Sequence, residues 1–233
     1  MVEIPRHIQT LVPYRSGRSL EDIQTLAIKP RMFAKLASNE NPLGPSPKAM
    51  EAIRLHLDSC HIYPDPTATK LVRKLSDFYS ISENRIVCAH GSDAILEYLS
   101  ISFLSQDDEI LTSDGSFIGI YVIAKKLNKL LRRVPLKQHA YDLDRIYESI
   151  QPQTKIIYLS NPNNPSGTYF NKTQWETFLD KIPNHILIVL DEAYFEYAKS
   201  TDDYPNGLNY QRDNLLVLRT FSKAHGLAGV RVG

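Results

Sequence analysis

The feature that most limits how this chain can fold is a series of short aliphatic segments, each followed by an amphipathic stretch of helical period. Lys155-Ile-Ile-Tyr-Leu-Ser160, Ile186-Leu-Ile-Val-Leu190 and Leu215-Leu-Val-Leu218 are short and almost continuously apolar. Such runs read as strands buried on both faces of a sheet. Arg85–Ala89, Glu109–Thr112 and Leu130–Leu136 read as further strands. Apolar residues at helical spacing fall between them. They are Leu71, Leu75 and Phe78 within residues 67–79, then Ile95, Leu99 and Phe103, then Ile120, Ala124 and Leu127. Leu143, Ile146, Tyr147 and Ile150 mark a fourth helix, and Trp175, Phe178, Leu179 and Ile182 a fifth. The alternation predicts an α/β fold, a mostly parallel sheet with helices on both faces. Residues 1–47, with prolines at Pro5, Pro13, Pro30, Pro42, Pro45 and Pro47, read as irregular.

Composition narrows the function classes. Lys plus Arg number 27 against 26 Asp plus Glu, so bulk charge argues for neither a nucleic-acid nor a membrane partner. The N-terminus has no signal-like apolar core, and no run approaches bilayer length. Cys60 and Cys88 form no CxxC and read as free thiols of a reducing compartment, with a disulfide left open. Cytoplasm is the expected location. The seven histidines show no metal-ligand spacing, and no metal is expected.

The polar residues just past each strand are more informative, because open parallel sheets bind ligands beyond the carboxyl ends of their strands. Gly91-Ser92-Asp93 comes after the first segment and directly precedes a helix. Asn161-Pro-Asn-Asn164-Pro-Ser-Gly167, Asp191-Glu-Ala-Tyr194 and Ser222-Lys223 come after the later ones. Singly, these read as a helix cap, a turn, a solvated carboxylate and a surface lysine. Together they would gather an anion-binding helix start, an Asn, a carboxylate, a Tyr and a Lys on one edge of one sheet. Pyridoxal phosphate needs that set: an amine, an acid partner for its ring nitrogen, donors for its phenolic oxygen, and a phosphate cradle.

The spacing resembles the fold-type I pyridoxal-phosphate aminotransferases, and within them the histidinol-phosphate branch. The resemblance rests on Leu36-Ala-Ser-Asn-Glu-Asn-Pro-Leu-Gly44, Tyr63-Pro64, the Asn161–Gly167 loop, Asp191–Tyr194, Arg219-Thr-Phe-Ser-Lys-Ala224 and Leu227-Ala-Gly-Val-Arg231-Val-Gly233. It implies Lys223 as the Schiff-base lysine and Asp191 as partner of the pyridine nitrogen. It puts Asn164 and Tyr194 on the phenolic oxygen. Ser92 and Asp93 would form the phosphate-binding helix start, and Ser222 and Arg231 the side-chain phosphate ligands. Phe117 would stack on the ring, although it follows Asp-Gly-Ser rather than the family's usual Pro-Thr and also reads as a core aromatic. Asp93 also reads as a helix-dipole partner. Tyr63 would reach the phosphate of a neighbouring subunit in a homodimer with a shared site, and Tyr14 would approach the substrate.

The implied activity is exchange between an amino donor and a 2-oxo acceptor. In the histidinol-phosphate branch, histidinol phosphate and 2-oxoglutarate give imidazole-acetol phosphate and glutamate, a step of histidine biosynthesis. An aromatic aminotransferase and a threonine-phosphate decarboxylase of the same fold remain open, as does a non-catalytic remnant. Residues 1–35 are expected to be an N-terminal arm or small-domain segment and 36–233 an incomplete cofactor-binding large domain. Family members continue past Gly233 through another strand and a small domain that carries a substrate-binding arginine. The further strand is expected inside the sheet, between the first and last strands seen here.

Overall fold

The computed structural model describes residues 2–12 and 35–233. Five strands form one sheet: β1 (Glu109–Ser113), β2 (Leu130–Val134), β3 (Thr154–Ser160), β4 (Leu187–Asp191) and β5 (Leu215–Leu218). Their order is β2-β1-β3-β4-β5 and every pairing is parallel. Strand periodicity of two divides the core between the two faces. Ile157, Leu159, Ile188 and Leu190 point toward Trp175, Phe178 and Leu179. Ile156, Tyr158 and Val189 point toward Ile95, Leu96, Ile120 and Ile123. Because β1, β3 and β4 are covered on both faces, nearly every position in them is buried and no alternation of buried and exposed residues remains. β2 lies at the edge, where Leu130 is exposed and Arg132 Nε reaches both carboxylate oxygens of buried Glu109 at 3.0 Å.

Among the described residues the helices are α1 (Arg6–Gln9), α2 (Pro47–His56), α3 (Thr69–Tyr79), α4 (Ser92–Phe103), α5 (Ile118–Lys126), α6 (Leu143–Glu148), α7 (Lys172–Lys181) and α8 (Phe195–Ala198). α7 begins with a complete capping box between Asn171 and Gln174, which fixes where its Trp175 face meets the sheet.

The structure departs from the sequence reading in four places. First, residues 86–89 form no strand and follow a 3₁₀ turn at Glu83–Arg85. Pairing there is confined to one residue: Ala89 N–H donates to the Gly233 carbonyl at 2.9 Å, and Gly233 N–H returns the bond at 3.2 Å. Phe221 N–H also donates to the Val232 carbonyl at 3.2 Å, so Val232 and Gly233 bridge the space between residues 86–89 and β5. One residue pair does not make a ladder. Second, α3 buries Val72 and half-buries Leu71 and Leu75, but leaves Phe78 of the expected stripe exposed. Third, Phe103 on α4 and Tyr147 on α6 are also exposed, each lying near the end of its helix. Fourth, α2 lies in sequence where no helix was expected. It buries no residue fully; Ala49, Met50 and Ile53 lie half-buried on one face, and Ser46 as N-cap and Pro47 at the first turn are its local signals.

Tyr14, and with it most of the expected 1–35 segment, lies outside the described residues. Cys60 and Cys88 are both free thiols. Among the described residues no helix is long and apolar enough to cross a membrane, and no group of His, Cys, Asp and Glu could hold a metal.

Candidate active site

The carboxyl ends of β1, β3, β4 and β5 open into one cleft. Of the eleven expected site residues, Tyr14 lies outside the described residues and nine line the cleft: Ser92, Asp93, Phe117, Asn164, Asp191, Tyr194, Ser222, Lys223 and Arg231. The remaining one, Tyr63, is 97% exposed and lies outside the cleft.

Asp191 is the last residue of β4 and faces the same side of the sheet as Val189 and Tyr158. Its Oδ2 accepts from the Tyr158 hydroxyl at 2.7 Å, and its Oδ1 from the Ala193 N–H at 3.0 Å. Burial dominates its titration and, despite these donors, pushes the carboxyl up to about 6. A folded value above the unfolded one means that the folded chain takes up a proton as the pH falls. The resulting penalty is absent below about pH 4, develops up to about pH 6 and is complete above it. Asp191→Asn should therefore stabilise the ligand-free chain at pH 7.5, by about 2 kcal/mol, and much less at pH 4. Thermal unfolding of the two chains at both pH values measures this.

Lys223 stands in the turn after β5. Its Nζ donates to the Ser38 carbonyl at 2.9 Å and lies 5.9 Å from the centre of the Tyr194 ring. Partial burial lowers its proton affinity, against opposing contributions from Asp93, Glu40 and Asp191. The Tyr194 hydroxyl accepts from Asn39 Nδ2 at 2.9 Å, and Asn41 Nδ2 donates to the Ala224 carbonyl at 2.8 Å. Residues 38–41 thus lie over the lysine turn. Gly226 makes this docking possible: its φ is +67°, and an added Cβ would stand 2.5 Å from the Gly44 carbonyl carbon and oxygen. Gly226→Ala should cost about 1–3 kcal/mol and release residues 38–45 from the turn, read as faster amide exchange in that segment.

The opposite wall gathers groups that could hold an anion. α4 begins at Gly91 without any side-chain cap, so its first N–H groups face the cleft beside Ser92 and Asp93. Arg231 extends its guanidinium to 2.7 Å from where a Gly91 Cβ would stand, and its Nη1 lies 3.5 Å from Ser222 Oγ. A side chain at residue 91 would displace that cation. The Asn161–Gly167 loop sorts its three asparagines by role. Asn161 is closed on the Phe170 backbone, and Asn163 bonds Ser160 and the Gly115 carbonyl. Asn164 lines the cleft and makes no hydrogen bond among the described residues. Phe117 both packs against the α4–α5 core and presents a face to the cleft, so its two readings are compatible.

Comparison with known proteins decides the family: the model for aminotransferase class I and II matches residues 31–233. The chain belongs to the class I and II aminotransferases. A histidinol-phosphate aminotransferase 2 of Carboxydothermus hydrogenoformans is 40% identical over 233 residues, 99% of this chain and 64% of the relative. A histidinol-phosphate aminotransferase of Macrococcus caseolyticus is 41% identical over 228 residues, 97% of this chain and 65% of the relative. The crystal structure of the Sinorhizobium meliloti histidinol-phosphate aminotransferase, in complex with pyridoxal-5'-phosphate, superposes with a TM-score of 0.84 at 27% identity. That match covers all of this chain and 62% of the other. The chain thus spans somewhat under two thirds of the relatives it matches.

This aminotransferase chain also contains polar residues that sequence spacing did not single out. Tyr158 looked like one more strand residue, and Ser38 and Asn39 belonged to a motif with no assigned chemistry. Glu192 follows Asp191 and therefore points to the other face of the sheet, where it is fully buried. Its Oε2 lies 2.6 Å from Arg219 Nη2, and its Oε1 accepts from the Gly207 N–H at 2.8 Å. The available signal is parity: Asp191 and Glu192 cannot share a face.

Proposed function

We propose that the cleft binds pyridoxal 5'-phosphate and that Lys223 is the amine to which the cofactor attaches. The observation that carries this reading is the facing of three chemistries across one cleft: the half-buried Lys223 amine, the buried Asp191 carboxyl, and the Arg231–Ser222–α4 anion cradle. The residues fit the group. The uncapped helix start and the Arg231 guanidinium suit its phosphate, with Ser222 and the N–H groups of Ser92 and Asp93 as further donors. Asp191 suits a protonated ring nitrogen, Asn164 and Tyr194 the phenolic oxygen, and Phe117 the ring face. When bound, the cofactor supplies an electron sink for the Cα of an amino-acid substrate.

The chain's own part is binding, orientation and proton transfer. Ionised Asp191 holds a proton at the ring nitrogen. Burial keeps more of Lys223 as free amine at neutral pH, and that amine moves the substrate Cα proton. Residues 38–41, packed on the lysine turn, limit water access to it. Exposed Tyr63 completes the phosphate site of a second copy in a homodimer, within a domain of residues 36–233 preceded by an arm of residues 1–35. The names of the most similar relatives support the substrate pair: histidinol phosphate with 2-oxoglutarate, giving imidazole-acetol phosphate and glutamate in cytoplasmic histidine biosynthesis.

The test is a single-turnover comparison of histidinol phosphate, phenylalanine and threonine phosphate, followed by the loss of visible cofactor absorbance. Histidinol phosphate should react fastest. Preference for phenylalanine, or carbon dioxide released from threonine phosphate, would overturn the substrate assignment.

A further inference from the structure

Tyr158 sits in the middle of β3 with no exposed surface, enclosed by the α4–α5 face of the core. A phenylalanine would fill the same space, so packing alone does not call for the hydroxyl. Its one hydrogen bond among the described residues is the 2.7 Å donation to Asp191 Oδ2. The strand that carries it is fixed in turn, since the Tyr158 carbonyl accepts from Thr112 Oγ1 at 2.8 Å on β1. With Ala193 N–H on Oδ1, the carboxylate is held at both oxygens, one from β3 and one from its own loop.

Asp191 is also faced by Asp93 from α4, Lys223 from the turn after β5 and Tyr194 from its own loop. Burial and the like charge of Asp93 favour the neutral acid. The Tyr158 and Ala193 donors, and the Lys223 cation, favour the carboxylate. The phenol itself is held firmly protonated, well above its ordinary range, because it is buried beside that carboxylate. It acts only as a donor.

We propose that Tyr158 is a positioning residue whose hydroxyl keeps Asp191 ionised and fixed in orientation at neutral pH, ready for the ring nitrogen of the bound cofactor. The cofactor half of this inference rests on the function proposed above; the Tyr158–Asp191 half does not. A hydrogen bond to a charged group, once removed, should raise the Asp191 midpoint by about 1–2 pH units. Asp191 would then be about half to nine-tenths neutral at pH 7, and its attraction for a protonated ring nitrogen would weaken accordingly.

The experiment follows the Ala193 backbone amide by NMR through a pH titration of the cofactor-free chain, because that N–H donates directly to Asp191. The wild-type chain should show an inflection near the carboxyl's value of about 6. Tyr158→Phe should move it upward by about 1–2 pH units, and Asp191→Asn should remove it. In a second arm, pyridoxal phosphate affinity of Tyr158→Phe should fall about two- to tenfold at pH 7.0 and approach wild type at pH 9. An Ala193 midpoint that does not move in Tyr158→Phe overturns the inference. Should that variant not fold, the wild-type sequence made with 3-fluorotyrosine presents a stronger donor at residue 158. Its midpoint should fall, and an unchanged one would equally overturn the inference. Failure of the wild-type chain to take up pyridoxal phosphate on Lys223 would instead count against the cofactor reading, leaving the amide titration intact.

Discussion

Under the proposed function, Lys223→Ala is expected to lower turnover of histidinol phosphate by about 10³-fold or more while leaving the fold intact. The lysine is assigned two tasks, covalent attachment of the cofactor and proton transfer at the substrate Cα; positioned acid–base groups alone contribute about 10²–10⁴-fold. Its structural ties are slight, since its Nζ makes a single hydrogen bond, to the Ser38 carbonyl. Single-turnover rates, with circular dichroism and thermal unfolding to confirm folding, separate the chemical loss from a structural one. An added small amine should restore part of the proton-transfer rate, because it returns a base to the space the side chain left.

Arg219→Ala is expected to destabilise the chain by about 3–5 kcal/mol, with a fall in Tm on the order of 10 °C. Glu192 is fully buried, and Arg219 supplies its counter-charge through Nε at 2.8 Å and Nη2 at 2.6 Å. The guanidinium also lies 3.4 Å from the centre of the Phe195 ring and donates to Asn206 Oδ1 at 2.9 Å. Removing it strands a carboxylate whose proton affinity burial has already raised. The loss should therefore shrink as the pH falls and Glu192 takes up a proton. Glu192→Gln in the Arg219→Ala background should recover a large part of it. Chemical denaturation of the two variants at pH 5 and pH 8 reads both effects. A loss under about 1 kcal/mol at pH 8 would mean that water solvates Glu192 in place of the arginine.

Which parts of this molecule are legible in its sequence depends on how each is specified. β3, β4 and β5 are short apolar runs held inside one sheet, so hydrophobicity alone marks them. The Trp175–Ile182 helix is marked by its period and its Asn171 cap. Asp191, Asn164 and Lys223 are readable because they follow apolar runs that form strands, and all three reach one cleft. Tyr158 is not readable in this way, because a tyrosine inside an apolar strand looks like core until its hydroxyl is seen against Asp191. Residues 86–89 have strand-like composition, but strand formation depends on neighbouring backbone, and here only Ala89 exchanges bonds with Gly233. α2 is the converse, a helix with a Ser46 cap and Pro47 in its first turn whose apolar face, Ala49, Met50 and Ile53, is only half-buried. The contact of residues 38–41 with the lysine turn is long-range and required coordinates, although Gly226 marks where two backbones come close.

The most direct test of the cofactor assignment is to mix the chain with pyridoxal phosphate, reduce with borohydride and locate the modified residue by peptide mass spectrometry. The cleft predicts visible absorbance on mixing and one stable pyridoxyl group, on Lys223, in close to stoichiometric yield. Labelling spread over exposed lysines, or absent from Lys223, would contradict the assignment of this cleft as the cofactor site.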